Sequence, residues 1–196
     1  MIKKINILLI LVATIGGLYF AITKETNIIF ILKDISIVLT ISALYIVQKI
    51  FKIKIPEGIN FLYILFIFMA HFLGVICDFY SKIYWFDKFV HFLSGFVAAF
   101  IAIYLLVKFK KDKNIIFSII FIISFSVMIG SIWEVFEYLA SYYFNVDPQK
   151  VVATGVTDTM GDIIVTLLAS ILTSISYYFE HKYNSNLLVK KFIKII

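Results

Sequence analysis

The 196 residues carry a formal net charge of +6, are 62% hydrophobic and 15% charged, and have a mean hydropathy of +1.02. That composition lies far from soluble-domain values and excludes a water-soluble globular fold. The basic surplus would suggest nucleic acid in a soluble chain. Here the lysines lie between apolar runs, where membrane topology and anionic headgroups account for them, and no nucleic-acid partner is expected.

Only 2 prolines and 8 glycines interrupt the apolar runs, so continuous helices are the natural outcome. The expected fold is all-α: a polytopic transmembrane helix bundle of about six spans, in one integral membrane domain over residues 1–196. Cys77 is the single cysteine, which excludes an intramolecular disulfide and a cysteine metal cluster. The amino terminus superficially resembles a signal peptide. Its apolar run is longer than a signal core, however, and Thr23-Lys24-Glu25 offers no small-residue cleavage site, so a retained span is expected.

The expected spans follow in order. The first is Ile5 to Ile22. The second is Ile35 to Ile50, with an earlier start near Ile28 if Lys33 and Asp34 pair or snorkel. The third, Ile59 to Cys77, follows the helix-start signal Pro56-Glu57-Gly58. The fourth is Phe89 to Val107 and the fifth Ile115 to Phe144, long enough to tilt or project. The sixth is Thr159 to Phe179. Beyond it, Leu187 to Ile196 spaces Lys190, Lys191 and Lys194 among apolar residues, as an interfacial amphipathic helix does.

Lysine placement sets the orientation, because cytoplasmic loops collect basic residues. With six spans and both termini cytoplasmic, thirteen of the eighteen lysines fall inside. The unusual polar groups then share one depth, near the extracytoplasmic face. His71 and Asp78 lie in or just past the outward half of the third span, and Asp87, Lys88 and His91 at the start of the fourth. Glu134 and Glu137 lie in the outward half of the fifth, and Asp158 and Asp162 open the sixth.

Asp87 and His91, four apart, share a helical face, as do Glu134 with Glu137 and Asp158 with Asp162. Paired carboxylates in a low dielectric require shared protons, lysine or histidine partners, or a bound divalent cation. The expected metal ligands are His71, His91, Glu134, Glu137, Asp158 and Asp162, a mixture that suits zinc, manganese or iron, while carboxylates alone suit magnesium or calcium. Asp87, His91, Glu134, Glu137, Asp158 and Asp162 are the candidate acid–base groups, and Lys88 the candidate for a substrate phosphate. Interhelical hydrogen bonding is the plainer alternative for the same residues. Glu25, Lys33, Asp34, Glu57, Asp112 and Glu180 read as ordinary interface residues. No Walker loop, dinucleotide fingerprint, GxSxG elbow or HExxH stretch occurs.

His71-Phe72-Leu73-Gly74, Trp85-Phe86-Asp87-Lys88-Phe89-Val90-His91-Phe92 with Gly95, Trp133-Glu134-Val135-Phe136-Glu137-Tyr138 and Asp158-Thr159-Met160-Gly161-Asp162 together resemble the YjdF-like family. These are small multi-pass bacterial inner-membrane proteins of unassigned function, and the resemblance covers about residues 60 to 175. It departs at Phe86, where the family usually has tyrosine, and in Val151 to Thr157, where a glycine-glutamine-rich stretch is usual. A weaker likeness is to VanZ-like proteins, which share the Asp-Lys-x-x-His-Phe start and are associated with the cell envelope. Glu137 stands where that family has glutamine.

The sequence therefore points to a multi-pass protein of the bacterial cytoplasmic membrane. Its partners are the bilayer and a lipid or envelope-precursor ligand. A non-catalytic envelope or immunity-type protein and a proton-coupled carrier are the competing functions.

Overall fold

A computed structural model describes residues 1–23, 28–183 and 185, and the regular structure among them is entirely helical. The chain groups into two compact units, one formed by Met1–Phe86 and the other running from Asp87 onward. Among the described residues, five helical stretches are long and apolar enough to cross a membrane: Ile2–Thr23, Glu57–Ile76, Phe86–Lys108, Ile115–Phe144 and Thr157–Lys182. Ile28–Ile50, with 23 residues, is of similar length. The chain is an all-α, multi-pass membrane protein.

In the first unit, α1 (Ile2–Thr23) and α2 (Ile28–Ile50) are followed by α3 (Glu57–Ile67). Ala13, Gly17 and Ala21 recur every fourth residue on the buried face of α1. Such small residues let a neighbouring helix approach closely. Ala13 there joins Ile37, Ile41, Ile64 and Ile76 in an apolar core. Pro56 precedes the first turn of α3, where its fixed φ and missing N–H cost nothing. The Tyr45 hydroxyl donates to Glu57 Oε2 at 3.1 Å, and Asn6 Nδ2 donates to the same oxygen at 3.2 Å. These bonds tie α1, α2 and α3 together, so Glu57 is a structural anchor and not the ordinary interface residue that the sequence suggests.

Past Ile67 the third helix widens into a π-helix, Phe68–Ile76. Asp78, at φ 63°, ends it and leads to the short α4 (Phe79–Lys82).

The second unit is built on α5 (Phe86–Lys108), α6 (Ile115–Phe144) and α8 (Thr157–Lys182), with the one-turn α7 (Val151–Thr154) before α8. Asn114 starts α6 by accepting from the Ile116 and Phe117 amides at 3.1 Å each, the usual relief of orphan donors. Asn145 ends it in the left-handed region at φ 53°. Thr166 marks where the three long helices meet. Its hydroxyl donates to the His91 carbonyl of α5 at 3.2 Å, and its methyl faces Gly130 of α6.

The expected bounds of the fifth span coincide with α6. The helices of the first, fourth and sixth spans extend one to three residues past the expected runs at each end, and the third runs Glu57–Ile76 against the expected Ile59 to Cys77. The second span begins at Ile28, the earlier of its two expected starts. The amphipathic tail at 187–196 lies outside the described residues.

Gly95 lets α5 lie against α8: a β-carbon there would come within 2.7 Å of the Thr166 carbonyl oxygen, which is backbone and cannot swing aside. Gly95→Ala should therefore force the two helices apart. A loss of about 1–3 kcal/mol is expected, as for other overpacked cores. Thermal unfolding in detergent, compared with wild type, is the measurement.

Candidate functional site

At the end of the second unit where α5 and α8 begin, polar side chains from three helices and one connection converge. The first turns of α5 supply Asp87, Lys88 and His91. The first turns of α8 supply Asp158 and Asp162, and α6 adds Glu134. The α6–α8 connection adds Gln149 and Lys150, delivered by a local device. Both carboxylate oxygens of Asp147 accept the amides of Val151 and Val152, at 2.8 and 3.1 Å, which fixes the turn between them.

Lys88 is the centre of the network. Its Nζ donates to Asp158 Oδ1 at 2.6 Å, to the Asp158 carbonyl at 3.1 Å and to Asp162 Oδ2 at 2.9 Å. Gly161 makes room for this reach, since a β-carbon there would meet Lys88 Cε at 3.0 Å. Lys150 completes a second bridge, from Asp87 Oδ2 at 2.6 Å to Asp158 Oδ2 at 3.5 Å. Lys150 itself adopts φ 52°, an unusual backbone state for a long side chain. Burial works against its charge, but the hydrogen bond to Asp87 and the field of Asp158 outweigh it and hold its Nζ above the ordinary lysine value of 10.5.

His91, 6% exposed, sits among three carboxylates without touching any at hydrogen-bond range. Its Nε2 is 3.8 Å from Asp87 Oδ1 and 3.8 Å from Asp162 Oδ1, and its Nδ1 is 3.8 Å from Glu134 Oε1. Glu134 is held by Gln149, whose Nε2 donates to its Oε2 at 3.1 Å and to its carbonyl at 3.0 Å. Within the cluster, three buried carboxylate oxygens have no hydrogen-bond partner: Glu134 Oε1, Asp158 Oδ2 and Asp162 Oδ1. Four acids therefore face two lysines and one imidazole, and the surplus negative charge calls for protons or a further cation.

Asp87, His91 and Asp162 each offer one ligand atom, and these atoms lie within 4.8 Å of one another. First-row metal bonds of about 2.0–2.2 Å require them to close in further. Beside Glu134, an open-sided cavity of about 470 Å³ runs between α6, α7 and α8, with walls that include Tyr138, Val151, Val156 and Thr159.

Six of the sequence-derived candidates meet here: Asp87, Lys88, His91, Glu134, Asp158 and Asp162. Glu137 lies one turn along α6 but accepts from Trp133 Nε1 at 2.8 Å on its own helix. His71 belongs to the first unit, where its ring nitrogens lie 3.0 Å from the Thr40 hydroxyl and 3.4 Å from that of Ser36. Asp78 is exposed and accepts from Ser81 at 2.7 Å. Sequence reasoning missed Gln149 and Lys150. The only signal was the Asp147-Pro148 turn that aims them.

Fold and cluster together define a helical membrane protein with a lysine-bridged carboxylate–histidine centre at one end of a three-helix unit. The chain belongs to the family described as predicted membrane protein (DUF2238), whose model matches residues 5–183. It is also similar to an uncharacterized protein of Thermotoga maritima, 27% identical over 125 residues. That match covers 63% of this chain and 64% of the relative, so the chain spans less than two thirds of the relative's length. No solved structure matches.

Lys88→Met should strand Asp158 and Asp162 as uncompensated charge and cost about 3–5 kcal/mol, the range for one partner of a buried pair. Adding Asp158→Asn and Asp162→Asn should restore much of the melting temperature. Lys150→Met should cost less, because Lys150 is 39% exposed and screened. A raised folded-state value means that the Lys150 contribution is complete below 10.5 and fades as pH rises through that folded value. The gap in melting temperature between wild type and Lys150→Met should therefore hold at neutral pH and narrow only in strong alkali.

Proposed function

We propose that the cluster is a divalent-cation site at the extracytoplasmic face of the bacterial cytoplasmic membrane. His91 Nε2, Asp87 Oδ1 and Asp162 Oδ1 are the ligands. The observation that carries this reading is the ring of carboxylate oxygens around His91, two of them buried and without a hydrogen-bond partner. Glu134 faces the other ring nitrogen. There it would fix the proton on Nδ1 and leave the Nε2 lone pair for the metal, the carboxylate–histidine–metal relay of many sites. One imidazole with two carboxylates suits zinc, manganese or iron. His71 and Glu137, also expected as ligands, have other partners and are not needed for this set.

The cation would serve to hold or polarise an anionic headgroup on a lipid or envelope precursor. Lys88 and Lys150 stand beside the same acids, placed to meet a phosphate once the metal takes over the carboxylates. The apolar cavity at Glu134 is of a size to take part of a hydrocarbon chain. The ordered motifs at Asp87–His91, Glu134 and Asp158–Asp162 support a place among the YjdF-like members of the family. The competing reading, a network that only fastens the bundle, draws on the bridges that Lys88 and Lys150 make between elements.

Chelator-stripped protein in detergent should bind about one equivalent of zinc or manganese in a calorimetric titration. A hundredfold excess over Kd should stabilise the fold by about 2.7 kcal/mol. His91→Ala and Asp162→Asn should abolish binding, and His181→Gln should leave it intact. Absence of saturable binding by zinc, manganese and iron, with an unmoved melting temperature, would sink the cation reading and favour the fastening network.

A further inference from the structure

At the end of the second unit away from the acidic cluster, α6 begins beside the last turns of α8. The Tyr177 hydroxyl lies against Ser118 there, and Asp112 lies near it. The buried face of α8 at this end is small and polar, with Ser170, Thr173 and Ser174 at most 2% exposed, and residues of that size let α6 approach closely. Larger side chains flank the contact and leave an open-sided groove of about 310 Å³. Ile119 and Ile123 of α6 line it together with Ile171, Ile175, Tyr178 and Phe179 of α8, and the buried Ser174 is its floor. Ile175 and Phe179 continue the exposed apolar stripe of Leu168 and Leu172 along α8, so the groove opens on the lipid-facing side.

Its length and its mouth both fit a lipid. From Ile171 to Phe179 the helix rises about 12 Å, against roughly 15 Å for one leaflet of a bilayer core. Tyr178 and Tyr183 mark the outer end, and tyrosine is a residue type that settles at the membrane–water boundary. Lys182 stands at that end. It is exposed, and its Nζ lies 5.8 Å from the centre of the Tyr178 ring, itself a wall of the groove, and 5.7 Å from that of Tyr183. Attraction to two ring faces holds the ammonium beside the groove without neutralising it. Lys110, Lys111 and Lys113, exposed on the connection that leads into α6, add charge of the same sign. Asp112 among them is half-buried, and Glu180 is 1% exposed although it reads in sequence as an ordinary interface residue. The headgroup layer therefore meets a cationic rim, with an apolar groove nearly one leaflet deep beneath it.

We infer that the α6–α8 groove is a binding site for one anionic phospholipid, with an acyl chain between the isoleucines and the phosphate beside Lys182. The site lies at the opposite end of α8 from the proposed cation site and requires no metal. A zwitterionic phospholipid offers the same chains but carries its own cation beside the phosphate, so the lysine rim discriminates against it.

The test is native mass spectrometry of the full chain in detergent, titrated with dioleoyl phosphatidylglycerol or dioleoyl phosphatidylcholine. Saturable retention of a single phosphatidylglycerol is expected, about fivefold tighter than phosphatidylcholine, the effect of one lysine near an anionic surface. Lys182→Gln, at an exposed position, should remove most of that preference. Ile175→Trp should fill the groove and weaken retention, whereas Ile164→Trp, also half-exposed on α8 but not a wall of the groove, should leave it unchanged. Glycerol phosphate, the headgroup without its chains, should fail to displace the lipid. Equal retention of the two lipids by wild type, or uptake that rises without saturation, means bulk lipid only and overturns the inference, even if no variant folds. Displacement by glycerol phosphate, or an undiminished preference in well-folded Lys182→Gln and Ile175→Trp, overturns it equally. Zinc or manganese titration of the same preparations is read separately, so loss of cation binding with intact lipid preference would remove the proposed function and leave this site.

Discussion

Everything distinctive in the second unit follows from the cost of placing carboxylates where water is scarce. An isolated ionised acid in that setting is expensive enough that the fold must answer it with opposite charge, protons or a ligand. Lys88 is the first answer, and much of the local sequence serves it. Gly161 clears its stem, the first turns of α8 present two aspartates to one ammonium, and Lys150 takes up the acid on α5. Two cations among four acids leave the answer incomplete. The unpartnered oxygens around His91 are where that incompleteness collects.

The same constraint explains why the long helices meet as they do. Thr166 bonds across to α5 while Gly95 and Gly130 clear its two sides, so one residue sets the approach of both neighbours. In lipid, apolar side chains gain little by leaving the solvent, and close backbone approach with hydrogen bonding takes over the role of hydrophobic burial. Polar residues on α8 are thus economical for packing as well as suited to carry charge. Lipid-facing positions such as Ile164, Leu168 and Leu172 remain large and apolar.

The helices were largely legible because hydropathy and length decide them in a membrane chain. The convergence of Asp87, His91, Glu134, Asp158 and Asp162 could be anticipated from their common depth. Depth says nothing of hydrogen-bond partners: Glu137, within the field of Asp87, Glu134 and Asp162, accepts from Trp133, and His71 meets the hydroxyls of α2 within the first unit. Lys150 was invisible for a different reason, since its position depends on a turn fixed by Asp147 and on a left-handed backbone. Asp34 and Glu180 were misread because a charge near a helix end usually faces water, whereas both are buried.

The π-helix at Phe68–Ile76 carries a consequence of its own. Hydrogen bonding to the fifth residue instead of the fourth accommodates an extra residue within the run, and each residue turns the helix by about 100°. Residues before Phe68 and after Ile76 therefore follow different angular phases, and His71 lies within the shift. An alignment that treats Glu57–Ile76 as one uniform helix would place its lipid-facing and core-facing positions wrongly on one side of that window. A relative with a regular α-helix here should align only with a one-residue gap between Phe68 and Ile76.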